Sequence, residues 1–439
     1  MAETIKNKGW TVTSAGVVIN LALGILYTWS IFKSAIKTSI EQGGAFQWDP
    51  ATINDPYAVC CLVFAFSMIL AGKCQDKFGP RITGMMGGIL VGIGFIWISQ
   101  TSDYGSWIIG FGVLVGMGIG FGYSSATPPA LKWFAPEKTG LIAGLVVSGF
   151  GLASVYIAPL AKYLLGVWGL QQSMLFFGVA FIFVVCGASL FLVNPPPKFT
   201  PPRPKSPEVS LEDIISYESS FAGWFMDENL VQSKAKKNLP ATVDMKPSQM
   251  LKTIDFYILW LIYLVGAGSG LMVIGSVAGM AKASMGEMAF LVVAIMAIGN
   301  AGGRIIAGIL TDKIGPITTL AIMLSFQALL MFAGGKIIGA DSAVLLVLLA
   351  TFIGFNYGTN LSLFPLFTKT LWGLKNFGIN YGMVFTAWGV GGFIMSRLSQ
   401  MLASKTGSYN TSFFIAGVFL IIGVVLTFVI RARLAKRMV

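Results

Sequence analysis

Histidine is absent from this 439-residue chain, and charge is scarce: Asp, Glu, Lys and Arg together make up 11% of it. Soluble domains carry roughly 25% charged residues, so a soluble globular protein is excluded. Without histidine the chain lacks the usual metal ligand and the side chain that most readily carries protons near neutral pH. Only four cysteines occur, Cys60, Cys61, Cys74 and Cys186. They have no ligand spacing, read as packing residues and indicate no redox compartment. The chain shows neither a nucleophile–base pair nor a metal cluster, which argues against a membrane-embedded enzyme and calls for no cofactor or metal. The short alternating segments of a β-barrel are missing too.

What the chain has instead is apolar length. It is 55% hydrophobic, with a mean hydropathy of +0.77. Runs of ~20 apolar residues, each enough to cross a bilayer as a helix, recur along it. The predicted spans are 11–33, 56–74, 82–100, 106–129, 138–161, 171–193, 256–281, 287–310, 317–337, 342–366, 377–403 and 409–431, twelve in all. Lys6 and Lys8 before the first run imitate a signal peptide, but no small-residue cleavage site follows, so it reads as an uncleaved first helix. The net charge of +12 would suggest nucleic acid in a soluble protein; here it reflects basic cytoplasmic loops, and no nucleic-acid partner is expected. Placing the N-terminus inside puts 22 of the 30 Lys and Arg on the inner side, so both termini are expected in the cytoplasm of a multi-pass protein in the cell (inner) membrane.

Residues 194–255 break the pattern with Pro195, Pro196, Pro197, Pro201, Pro202, Pro204 and Pro207 and hold eight of the eighteen acidic residues. They read as a cytoplasmic linker between an N-terminal half, 1–193, and a C-terminal half, 256–439. An internal repeat crosses that linker. Gly72-Lys73-Cys74-Gln75-Asp76-Lys77-Phe78-Gly79-Pro80 recurs as Gly308-Ile309-Leu310-Thr311-Asp312-Lys313-Ile314-Gly315-Pro316, at an offset of 236. The same offset pairs Gly118, Gly122 and Pro129 with Gly354, Gly358 and Pro365; an offset of 238 pairs Gly140, Gly144 and Gly151 with Gly378, Gly382 and Gly389. Two six-helix halves in one orientation, rocking about a midplane site, are the simplest account.

Arg304 is the one charged residue expected well inside a span. A fixed charge in hydrocarbon is costly, so it faces a partner, a cavity or a substrate. No acidic residue inside a span is available to neutralise it permanently, and a guanidinium matches a carboxylate in bidentate geometry. Gly299, Gly302 and Gly303 are expected to leave backbone room around it. The reading is a solute transporter whose Arg304 holds an organic anion. Asn300 lies one helical turn earlier on the same face, able to hydrogen-bond a carboxylate or hydroxyl but unable to titrate. Lys33, near the outer end of span one, reads as a snorkelling side chain rather than a second site charge.

The turn after span two resembles the signature loop of the major facilitator superfamily, G-x-x-x-D-[RK]-x-G-[RK], through Gly72, Asp76, Lys77 and Gly79, with Pro80 displacing the final basic residue to Arg81. Within that superfamily, Leu23-Gly24-Ile25-Leu26-Tyr27-Thr28-Trp29, Lys132-Trp133-Phe134-Ala135-Pro136-Glu137-Lys138, the Met250–Tyr257 entry and Asn380-Tyr381-Gly382 resemble the oxalate/formate antiporter family, related to the animal monocarboxylate transporters. The resemblance implies an all-α major facilitator fold of twelve transmembrane helices in two pseudo-repeated halves. It implies Arg304 as the substrate-binding arginine of the eighth helix, and Tyr27, Tyr123 and Tyr357 as aromatic substrate contacts. Two departures bear on substrate. Asn300 stands where monocarboxylate transporters carry an aspartate tied to proton coupling. Trp388 stands where oxalate exchangers carry a lysine, eight residues after the asparagine of their Asn-Tyr-Gly.

One cation facing a divalent anion leaves charge unbalanced in low dielectric, so a small monocarboxylate of the L-lactate, pyruvate or formate class is expected over oxalate. Phe385 and Trp388 are expected to wall the site, with Leu361 supplying apolar surface for a methyl group. Asp76, Lys77, Gly79 and Arg81, with Asp312 and Lys313, are expected to form ion pairs and helix-end contacts that close the inner gate. Proton symport and anion exchange both remain open. The partners are then a small carboxylate, protons if symport operates, and the bilayer, with a monomer sufficient.

Overall fold

A computed structural model describes residues 7–134, 139–196, 199, 201, 244–338, 342–373 and 376–438. Most of the expected linker, the Lys132–Lys138 motif beyond Phe134, and the Asp312 side chain lie outside the described residues. Every regular element is helical: α1 Gly9–Leu23, α2 Trp29–Glu41, α3 Asp55–Ile98, α4 Tyr104–Trp107, α5 Gly116–Leu131, α6 Thr139–Ser189, α7 Pro247–Met250, α8 Ile254–Ile274, α9 Val277–Met285, α10 Phe290–Ile314, α11 Pro316–Ile338, α12 Ala343–Trp372, α13 Phe377–Thr406 and α14 Asn410–Met438. A tight 3₁₀ turn, Gly24–Thr28, joins α1 to α2, and a π-helical stretch, Ile108–Val115, joins α4 to α5.

Nine helical stretches among the described residues are long and apolar enough to cross a membrane. Their outward faces are apolar as well: Phe183 is 74% exposed and Leu329 67%. Such rows of exposed hydrophobic side chains are what a lipid-facing surface requires.

The repeated turn has one backbone geometry in both copies. Gly79 breaks α3 at φ 83°, and Gly315 separates α10 from α11 at φ 81°. Gly169, which breaks α6 at φ 74°, recurs as Gly407 at φ 70°, at the second offset of 238. These φ values are strained for any residue with a Cβ, which is why glycine holds all four positions.

Helices before residue 190 pack mainly on one another, as do those after 254, and two seams join the sets: α3 against α13, and α6 against α10. Small residues make both seams possible. A Cβ at Gly389 would overlap that of Ala65 and lie 2.8 Å from the Cys61 carbonyl oxygen. Alongside, α10 meets α12 backbone to backbone: a Cβ on Gly299 or Gly303 would strike the carbonyl of Thr351 or Phe355. Those two glycines therefore serve helix contact, and only Gly302 of the three faces open space.

Polar contacts across the seams gather towards the end of the bundle that holds the α2–α3 loop. Arg397 Nη2 is 3.4 Å from Asp55 Oδ2, Asn54 Nδ2 donates to the Ser396 carbonyl at 3.3 Å, and Gln400 Nε2 donates to the Pro50 carbonyl at 2.9 Å. Lys162 pairs with Glu287 at the same end.

Gly303→Ala is expected to collapse this packing, because a backbone carbonyl cannot yield to the added methyl. Overpacking costs about 1–3 kcal/mol or more, so the variant should melt well below the parent in detergent, whereas Gly302→Ala should match the parent. Equal melting of both variants would show that the α10–α12 contact does not hold the bundle.

Candidate functional site

The site forms where the seams cross the middle of the bundle. Arg304, on α10, is 4% exposed. Its Nε donates to Asn300 Oδ1 at 3.1 Å, one turn back on the same helix, and Nη1 donates to the Val147 carbonyl on α6. Nη2 is buried with no partner. No ion pair engages Arg304 among the described residues, so the buried guanidinium has hydrogen bonds but no counter-charge. The guanidinium also lies beside Gly151, one turn beyond Val147, where an added Cβ would sit 3.4 Å from Arg304 Cζ.

Aromatic side chains gather beside the Arg304–Asn300 pair: Tyr27 lines one small cavity with Asn300. The 3₁₀ turn Gly24–Thr28 delivers Tyr27 to the seam, where its hydroxyl lies 2.6 Å from that of Tyr357 on α12. Trp388 Nε1, on α13, donates to the same Tyr357 oxygen at 2.7 Å. Tyr357 thus ties three helices together through one hydroxyl. Phe385 stacks on Trp388 with ring centroids 4.9 Å apart, and Tyr123 stacks on Phe385 at 6.2 Å. Leu361 is buried one turn beyond Tyr357.

Of the residues expected from the sequence, Arg304 and Asn300 pair with each other, and Tyr27, Tyr123, Tyr357, Phe385 and Trp388 form one network of rings and hydroxyls beside them, the two sets meeting at the cavity that Tyr27 and Asn300 line. Four others join these sets unannounced: Phe64, which packs edge-on against Trp388 at 5.0 Å, Phe150, Tyr381 and the carbonyl of Val147. A carbonyl carries no side-chain signal, and aromatic residues mid-span are common, so only tertiary structure singles these out.

Lys33 differs from its expectation. It does not snorkel: it is 6% exposed and its Nζ donates to Ser276 Oγ, across the seam, at 2.8 Å. Arg304 is therefore not the only buried cation. The signal was present, because Lys33 shares one helical face with Trp29 and Ile36, both fully buried.

The charged turns lie at the surface. Asp76, Lys77, Arg81 and Lys313 are exposed at the end of the bundle opposite the α2–α3 loop, and no ion pair joins them among the described residues. The Lys77 ammonium lies over its neighbour Phe78, 5.1 Å from the ring centroid, and Gly79 provides the bend.

The sequence profile described as Major Facilitator Superfamily matches residues 15–396. The chain is 26% identical to the oxalate:formate antiporter of Oxalobacter formigenes over 439 residues, covering 99% of this chain and 94% of that one. It is 25% identical to human monocarboxylate transporter 11, covering 94% and 81%. Among solved structures, the D-xylose-proton symporter superposes with a TM-score of 0.67 at 13% identity, over 95% of this chain and 97% of that one, a likeness of fold. A profile spanning most of the chain, relatives along nearly its whole length and this helical architecture agree: the chain belongs to the Major Facilitator Superfamily of membrane transporters, and it is not an enzyme.

Proposed function

We propose that this transporter moves a small monocarboxylate, of the L-lactate, pyruvate or formate class, by alternating access about Arg304. One observation carries the proposal: a buried guanidinium with an unpartnered Nη2 and no carboxylate opposite it. A mobile carboxylate supplies the missing charge and accepts from Nη2, while Asn300 and Val147 hold the other nitrogens. Trp388 in place of a second cation favours a single carboxylate over oxalate, in keeping with the monocarboxylate relative. The likeness to the oxalate:formate antiporter favours a second reading, organic anion exchange.

In this proposal the two halves are 1–193 and 256–439, joined by a 194–255 linker. Splitting α3 and α6 at Gly79 and Gly169, and counting α13, gives twelve crossings. The basic loops place both termini in the cytoplasm and the α2–α3 loop outside. The cross-seam contacts then form a closed outer gate, and the Asp76–Arg81 and Asp312–Lys313 turns close the inner gate in the opposite state. The monomer contains the whole site. Among the titratable groups that bridge the two sets of helices, Lys33 is buried with no ion-pair partner, unlike Asp55 and Glu287, and in this reading proton symport runs through it; Asn300 has no proton to exchange.

Uptake of labelled L-lactate into proteoliposomes tests these assignments. Losing the charge-assisted fork of Arg304 costs about 2–3 kcal/mol, so Arg304→Lys should lower uptake roughly 30-fold or more. Flux that survives this change would remove Arg304 from the site. An inward proton gradient should drive accumulation, and Lys33→Gln should abolish that drive while lactate–lactate exchange continues. Accumulation that persists in Lys33→Gln would place the proton elsewhere; uptake seen only in preloaded vesicles would establish exchange.

A further inference from the structure

A narrow chamber lies on the seam beside the arginine turn, walled by Asn300, Ala297, Met296, Val293, Ile274 and Val277. Tyr27 and Ser154 complete it, but their hydroxyls are already engaged, with Tyr357 at 2.6 Å and with Thr28 at 3.2 Å. The chamber's polar groups are therefore Asn300, whose Oδ1 holds Arg304 Nε, and two hydroxyls that each already have a partner; its other walls are aliphatic or thioether. Its walls lie one and two helical turns from Asn300 along α10, directed away from Arg304.

We propose that this chamber receives the alkyl tail of the carboxylate held at Arg304, so that the cargo is a monocarboxylate with a short apolar tail, and that Ala297 and Met296 set its length. The inference rests on the anion-site reading above. A carboxylate on Nη2 has Asn300 beside it, and the walls beyond Asn300 along α10, with Ile274 and Val277, are apolar. A second carboxylate or a terminal hydroxyl directed there would give up water for at most two hydroxyls that are already paired, a costly arrangement, whereas each methylene gains by leaving water. In this conformation the chamber holds about one water-sized group, so a longer tail enters by displacing a wall. Met296, unbranched and 4% exposed, is the wall able to swing aside without moving backbone.

Calorimetric titration of the purified full-length protein with formate, acetate, propionate and butyrate tests the chamber. Affinity should rise roughly fourfold per methylene in the parent. Ala297→Phe fills the chamber and should bring the butyrate-to-formate affinity ratio down to near one. Met296→Ala enlarges it and should raise the hexanoate-to-butyrate ratio at least fivefold, which also decides the matter if Ala297→Phe does not fold. A flat series in the parent, or ratios unmoved by these substitutions, overturns the chamber while leaving the anion site intact. Failure of every acid to bind overturns both. A graded series that persists unchanged in Arg304→Ala overturns the anion site and, with it, the placement of the carboxylate from which the tail is traced.

Discussion

A guanidinium held in the middle of an apolar bundle without a fixed counter-charge constrains everything around it. Burying a charge is tolerable only when its donors are satisfied, and a carbonyl and an amide satisfy two of the three nitrogens of Arg304. Helix geometry brings both partners within reach: Asn300 lies one turn before Arg304 on α10, and α6, packed against α10, presents the Val147 carbonyl. The nitrogen left over is the one that the proposed carboxylate would occupy, a place that a permanent salt bridge would fill. A bundle that balanced this arginine with its own aspartate would be more stable and less able to respond to an anion.

The glycines explain how a seam that must open is nonetheless close-packed. Lipid supplies no hydrophobic force between helices, so association relies on van der Waals contact and hydrogen bonds at short range. Gly299 and Gly303 bring α10 against the carbonyls of α12, fixing the helix that carries Arg304 to its neighbour. On the other seam, Gly389 lies against Ala65, and the polar ties of Asn54, Asp55 and Gln400 gather at one end. Ties concentrated at one end and exposed charges at the other describe one state of a two-state machine. The rocking of the halves would exchange them.

Tyr357 shows how one residue couples the seam to the site. Its hydroxyl takes the indole proton of Trp388 and shares a second hydrogen bond with Tyr27, so movement of α1 against α12 is registered beside Arg304. An indole nitrogen donates a hydrogen bond, as a lysine does, but carries no charge. Here it buttresses a tyrosine, and the position contributes shape where a lysine would contribute charge.

Composition and periodicity alone determined a great deal. Scarce charge and repeated apolar runs dictated a helical membrane protein, the offset of 236 exposed the repeat, and the glycines of its turns were legible because only glycine tolerates their φ values. Arg304 stood out for a similar reason: a charge inside an apolar run is too costly to be incidental. The face shared by Lys33 with Trp29 and Ile36 was written there as well, but nearness to a span's end suggested a snorkel, and only the fold shows Ser276 waiting across the seam. Val147 and Phe150 could not have been singled out, since backbone acceptors and packing rings gain meaning from what stands opposite them. Sequence fixes local cost, residue by residue along one helix; which costs are offset, and by whom, depends on contacts between segments more than a hundred residues apart, and only the tertiary structure decides them.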